Sequence, residues 1–152
     1  MNVLIVCTGN TCRSPMAEAL LRKKCEERGL DVYVSSAGIS TADGLLASNN
    51  AVIAAGELEC DISLHTSREI TAADLHSADL VLTMTDAQRD ALRVGSDGEE
   101  EKIFTIGEFI GTPEVEVTDP FGEDLDIYRE CAMQLDEMLE EAADRIEEEY
   151  DV

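Results

Sequence analysis

No stretch of this chain approaches the roughly 20 consecutive apolar residues that a bilayer-spanning helix requires. The N-terminus also lacks the marks of a secretory leader. Met1-Asn2 offers no basic region, and Val3–Val6 is too short for a hydrophobic one. The sequence therefore predicts a cytoplasmic protein. Basic residues are scarce, at 11 Lys plus Arg, of which three are lysine. Against them stand 34 Asp plus Glu, for a net charge of −23. A surface that negative disfavours nucleic acid and anionic membranes as partners. It suits solubility, or a salty cytoplasm in which screening relieves the self-repulsion. Cysteine is present five times, an odd count that, without a secretory signal, argues against a disulfide framework. No further Cys or His follows Cys12 at metal-ligand spacing, so neither a metal nor another cofactor is expected. There is no internal repeat, linker or low-complexity segment. A length of 152 residues with 44% apolar content suits one domain, 1–152, with an adequate core.

What is present is an alternation of strand and helix patterns. Val3–Val6 reads as a buried parallel strand. Pro15 to about Arg28 reads as an amphipathic helix ended by Gly29. Val32–Val34 is a second strand, Ala47–Glu57 a helix, and Thr71–Asp74 a capping-box start to a short helix ending near His76. Leu80–Met84 is a third strand, followed by a helix capped at Thr85–Gln88 and running to about Arg93. Lys102–Thr105 is a fourth strand. Gly111–Asp119 reads as an extended loop and Leu125–Glu149 as a long terminal helix. This order predicts an α/β fold: a four-stranded parallel sheet with helices on both faces. Ligands in such sheets bind outside the carboxyl ends of the strands, at a switch point.

The chemistry concentrates at the end of the first strand, in Cys7-Thr-Gly-Asn-Thr-Cys-Arg13-Ser14-Pro15. A loop of this kind turns backbone N–H groups inward as an anion nest, and the helix that follows adds its positive end. Ser14 reads as the helix N-cap and Pro15 as the first helical residue. Gly9 and Asn10 can take unusual backbone angles, and the Asn10 side chain can lock the loop. Arg13 can fork onto two phosphate oxygens. Cys7, in that positive field and within reach of a Ser14 hydroxyl, is expected to be a thiolate. The arrangement reads as a nucleophile beneath a bound phosphoryl group, cradled by Thr8, Gly9, Asn10, Thr11, Cys12 and Ser14.

The segment Cys7–Ser14 resembles the Cys-x5-Arg-Ser loop of the low-molecular-weight protein tyrosine phosphatase family. Ser36-Ala37-Gly38, Ala78–Met84 and the Asp119-Pro120 pair are similar to that family as well, so the resemblance covers essentially the whole chain. It implies Cys7, Arg13 and Asp119 as catalytic residues, with Asp119 protonating the leaving group and then activating water. By sequence alone, Asp119 would read only as the opening of a turn. Threonine at position 11, and the run Asp119–Tyr128, resemble the bacterial protein-arginine-phosphatase branch, where tyrosine-directed members carry an apolar residue at 11. Thr11 and Phe121 are then the specificity residues, and phosphorylated proteins the partners of a monomeric enzyme. The resemblance also suggests a reversible protective disulfide between Cys7 and Cys12, although Cys12 equally suits a small packing residue.

Other readings remain for several residues. Cys25 and Cys131 fall in helical patterns as small buried hydrophobes. His65 and His76 read as structural or surface residues, and Tyr128 as helix packing. The alternative function is a tyrosine phosphatase of the same mechanism. A thioredoxin-coupled arsenate reductase would need two late cysteines, and only Cys131 is late. A redox switch on Cys7 and Cys12 is the non-enzymatic alternative.

Overall fold

An unbroken apolar run can keep neither face in water, and Val3-Leu4-Ile5-Val6 accordingly lies inside the sheet. The computed structural model describes residues 1–152. Strands β1 (Asn2–Cys7), β2 (Tyr33–Gly38), β3 (Leu80–Thr83) and β4 (Ile103–Thr105) stand in the order β2-β1-β3-β4, all parallel. The chain steps from β1 to one side and then returns to the other, so the switch point lies at β1 and β3. Alternate residues of β1 face opposite layers. Val3, Ile5 and Cys7 join a core with helices α1 (Arg13–Glu27), α2 (Asn49–Glu57) and α6 (Leu125–Glu149) through Leu20, Leu21, Ala51, Leu135 and Leu139. Leu4 and Val6 join a smaller core with Leu75 of α3 (Ala72–Ser77) and Leu92 of α4 (Asp86–Gly95). No helix is long and apolar enough to cross a membrane.

Several boundaries differ from the sequence expectation, each for a local reason. Helix α1 begins at Arg13, ahead of Pro15, so Ser14 is its second residue and not its cap. The cap position is Cys12, which makes no side-chain capping bond. Pro15 falls within the first turn, where a missing N–H removes no helical bond. Strand β2 runs on to Gly38 because its small, polar Ser35, Ser36 and Ala37 pair in register with Leu4, Ile5 and Val6. Pairing here overrides weak intrinsic strand preference. Helix α2 starts two residues later than Ala47, where Ser48 accepts from the Ala51 N–H. Ile106–Phe109 form a single helical turn, α5, that the pattern did not announce.

Capping boxes stand as expected at Thr71 with Asp74 and Thr85 with Gln88, and a further one joins Thr105 and Glu108. Helix α1 packs lengthwise on α6 through a ladder of ions. Lys24 reaches Asp136 at 2.8 Å and Glu140 at 2.9 Å. Arg28 pairs with Glu140, with Asp144 at 2.7 Å and with Glu147 at 3.3 Å. Four acidic side chains of α6 thus gather around the two cations Lys24 and Arg28. Cys25, Cys60 and Cys131 are buried.

Candidate active site

Strand β1 ends at Cys7, level with Gly38 of β2, while Val6 is level with Thr83 of β3. The chain then turns through Thr8–Cys12 into α1. The turn places its one left-handed residue at Asn10, with φ of 55°, and not at Gly9. Asparagine tolerates that region where most residues do not. Neighbouring segments pin the loop's carbonyls. Ile39 N–H donates to Cys7 O at 3.0 Å, Ser40 N–H to Thr8 O at 3.0 Å, and Ser48 N–H to Thr11 O at 2.9 Å. Gly38 leaves room for this close approach. A Cβ there would lie 2.8 Å from Thr41 Cγ2 and 2.9 Å from the Thr8 carbonyl oxygen.

Asn10 is fully buried and organises the loop from below. Its Oδ1 accepts from the Arg68 backbone N–H at 3.0 Å. That fixes the amide, so Nδ2 donates to Ser14 Oγ at 2.8 Å and to Ser36 Oγ at 3.0 Å. The Ser14 hydroxyl, already an acceptor from Asn10, keeps its own hydrogen for the Cys7 sulfur 2.9 Å away. The Asn10 N–H also points at that sulfur, at 3.2 Å. Two donors therefore converge on Cys7 Sγ. His65 Nε2 lies 2.8 Å from the Asn10 carbonyl, so this histidine braces the loop.

Arg13 is buried, and its Nη1 donates to the Val117 carbonyl at 2.9 Å. Its other terminal nitrogen faces the cavity, 3.7 Å from Asp119 Oδ2. Asp119 divides its two oxygens. Oδ1 closes a local turn by accepting from the Phe121 N–H at 3.0 Å, while Oδ2 faces Arg13. Asp119 thus closes the turn with one oxygen and faces the Arg13 guanidinium with the other.

Cys7, Thr8, Gly9, Asn10, Thr11, Cys12, Arg13, Asp119 and Phe121 line one cavity of about 220 Å³. Ser14 sits beneath it. A larger cavity of about 290 Å³ opens beside Asn2, Leu4 and Tyr33, but it holds no thiol. Its one cation, Arg68, is paired with Asp74 at 2.9 Å. The smaller cavity is the one lined by the Cys7 thiol, the Thr8–Cys12 loop and Arg13. No three His, Cys, Asp or Glu side chains gather as a metal cluster.

Cys12 packs against Tyr128, whose hydroxyl lies 3.3 Å from its sulfur. Burial, reinforced by that contact, pushes the Tyr128 hydroxyl up to about 12. Burial also pushes the Cys131 thiol up to about 12, which leaves it protonated and a poor electron relay. Sequence reasoning missed four contributors to the site: His65, the Ser36 hydroxyl, the Val117 carbonyl and Gln88. Gln88 was visible only as part of a capping box, yet its Nε2 also donates to Thr8 Oγ1 at 3.0 Å.

Residues 2–152 match the family described as low molecular weight phosphotyrosine protein phosphatase. The chain is 38% identical over 149 residues to a protein-arginine-phosphatase of Bacillus subtilis, covering 98% of this chain and 99% of that one. It is 35% identical over 137 residues to the low molecular weight protein-tyrosine-phosphatase PtpB of Staphylococcus haemolyticus, covering 89% and 92%. Among solved structures, the YwlE arginine phosphatase carrying a phosphorylated active-site serine superposes with a TM-score of 0.94, at 37% identity, covering 98% of this chain and 97% of that one.

Proposed function

Since this chain belongs to the low molecular weight phosphotyrosine protein phosphatase family, whose members are cysteine-dependent protein phosphatases, we propose that it hydrolyses phosphoarginine on proteins. The phosphoryl group sits over Cys7 Sγ, held by the loop N–H groups and Arg13. The Cys7 thiolate attacks phosphorus. The P–N bond breaks, and the departing guanidine nitrogen takes its proton from Asp119. Asp119, now a carboxylate, removes a proton from water. That water attacks the phosphocysteine, the P–S bond breaks, and Cys7 returns as thiolate with release of inorganic phosphate. The position of Asp119 Oδ2 beside Arg13, at 3.7 Å, supports this role.

The observation that carries arginine over tyrosine is the presence of Thr11 in the wall of the cavity. Its hydroxyl offers a polar partner for a guanidinium, and the cavity has one aromatic wall residue, Phe121, which is 73% exposed. The curated relative of highest identity quoted above is named for arginine. The alternative substrate, phosphotyrosine, draws its support from Phe121, which offers an aryl contact at the mouth.

The test compares kcat/KM on phosphoarginine and phosphotyrosine peptides for the native chain and Thr11→Ile. The native chain is expected to prefer phosphoarginine. Thr11→Ile should lower that activity and keep or raise activity on phosphotyrosine, a relative shift of about 1–3 kcal/mol for one polar contact. Both side chains branch at Cβ, so the backbone tolerates the change. A native preference for phosphotyrosine, or an unmoved ratio, assigns the enzyme to tyrosine.

A further inference from the structure

Gln88 is buried, with 6% of its surface exposed, and its amide has no choice of orientation. Oε1 accepts from two backbone N–H groups, Met84 at 3.0 Å and Thr85 at 3.2 Å. Turning the amide over would set its NH₂ against both donors. Nε2 therefore faces Thr8 and donates to its hydroxyl oxygen at 3.0 Å. That bond takes one lone pair of Thr8 Oγ1 and forbids its hydrogen from pointing back at Gln88. The hydroxyl makes no other hydrogen bond within the protein. Its residue lines the cavity beside Cys7, and its own carbonyl is held by the Ser40 N–H at 3.0 Å. Residue 8 is thus anchored from the segment that follows β2 and from α4, and its hydroxyl keeps an O–H and one lone pair free at a residue that lines the cavity.

We propose that the Thr8 hydroxyl donates to a phosphoryl oxygen of the bound substrate, and that Gln88 is the positioning residue that sets its direction. The inference rests on the phosphatase reading of the Cys7 loop. A phosphoryl group attacked by Cys7 must lie over its sulfur, and Thr8 is the next residue of the loop. Phosphoryl oxygens carry the negative charge in the cavity, so a fixed donor finds its partner there. The same logic operates below the loop, where Asn10 directs the Ser14 hydrogen to Cys7. Two amides, each locked by backbone N–H groups, aim two hydroxyls, one at the nucleophile and one at the electrophile.

The test uses Thr8→Val, Thr8→Ser, Gln88→Glu and the double variant Thr8→Val with Gln88→Glu. Thr8→Val keeps the shape and removes the donor at an exposed position, so the fold is retained. Its kcat/KM is expected to fall about tenfold to a hundredfold, the worth of a hydrogen bond to a charged group. The fall should be equal on phosphoarginine and phosphotyrosine peptides, because the phosphoryl group is common to both. Thr8→Ser should restore most of the activity. Glutamate at 88 still accepts from Met84 and Thr85 but cannot donate, so it reverses the Thr8 bond. Gln88→Glu should therefore be costly in the native background and much less so beside Thr8→Val. Binding of inorganic phosphate, measured by calorimetry, should weaken in Thr8→Val irrespective of turnover.

Native-like turnover and phosphate binding in Thr8→Val would overturn the proposal. A loss on one substrate alone would assign Thr8 to the leaving group instead. An equal cost of Gln88→Glu in both backgrounds would remove Gln88 from its positioning role. If the native chain hydrolyses neither peptide, the phosphatase reading fails, and phosphate binding still decides the Thr8 contact.

Discussion

Replacing Asn10 by aspartate should silence Cys7 while keeping the shape of the side chain. In the native loop, Asn10 Nδ2 donates to Ser14 Oγ at 2.8 Å, which leaves the serine hydrogen for the sulfur 2.9 Å away. An aspartate has no donor. It accepts from Arg68 N–H as asparagine does, but the hydroxyls of Ser14 and Ser36 must now turn their hydrogens toward it. The Ser14 lone pairs then face Cys7. A hydrogen bond to a charged group is worth about 1.5–3 kcal/mol, which corresponds to an alkylation rate lowered roughly tenfold to over a hundredfold. The assay is alkylation of Cys7 by iodoacetamide at about pH 6, read by mass spectrometry on the Cys7 peptide, since only the thiolate reacts. Ser14→Ala removes the same donor without introducing a charge and gives the hydrogen-bond part alone. Near-UV circular dichroism confirms that the variants are folded. Folded Asn10→Asp and Ser14→Ala proteins alkylated as fast as the native chain would refute the directed-hydroxyl reasoning.

Asp119→Ala should lower the rate by about 10²–10⁴, the usual contribution of a general acid; the loss should be largest for poor leaving groups and small for an activated aryl phosphate, and an equal loss on both would make Asp119 a structural residue. Gly38→Ala should destabilise the fold by about 1–3 kcal/mol through overpacking, because its methyl group meets the Thr8 carbonyl oxygen at 2.9 Å; chemical denaturation showing native stability would disprove that contact. The Lys24 contact, and then Arg28, hold the Glu140 carboxyl below the usual carboxylate range. A lowered folded-state value stabilises the protein above the unfolded value and is lost as pH falls through the folded one. Glu140→Gln should therefore lower the melting temperature slightly at pH 7, by an amount matching less than about 1 kcal/mol for a half-exposed pair, and converge with the native protein in acid. A difference that persists unchanged at low pH would contradict the assignment.

The parts of the site written contiguously were legible in the sequence. Cys7, the loop and Arg13 lie within seven residues and share one strand-to-helix turn, so local rules place them together. The terminal helix was legible to the residue, because Leu125–Glu149 is long and periodic and Asp124 caps it. Asp119 became a candidate through resemblance, since an Asp-Pro pair alone opens turns. What escaped were contacts between distant segments. His65 lies 55 residues from Asn10, Gln88 lies 80 from Thr8, and Val117 lies 104 from Arg13. No periodicity encodes such pairs. Ser14 was misjudged as a cap for a related reason. A serine before a helix has a local use, and only the folded loop gives it a better partner in the Cys7 sulfur. Strand β2 was cut short because Ser-Ser-Ala-Gly carries little strand preference of its own, and only pairing with β1 extends it.

The hold of Val117 on Arg13, and of Tyr128 on Cys12, has a consequence for biosynthesis. The loop that carries Cys7 is made well before both partners, since Val117 follows Arg13 by 104 residues and Tyr128 follows Cys12 by 116. Helix α1, which carries Arg13, also lacks its packing partner until α6 has left the ribosome. A nascent chain stopped before residue 117 would possess the loop sequence yet have its arginine unanchored and lack Asp119 beside it. The cavity is therefore assembled in one late step, when the segment from Val117 to Tyr128 closes over the Cys7 loop.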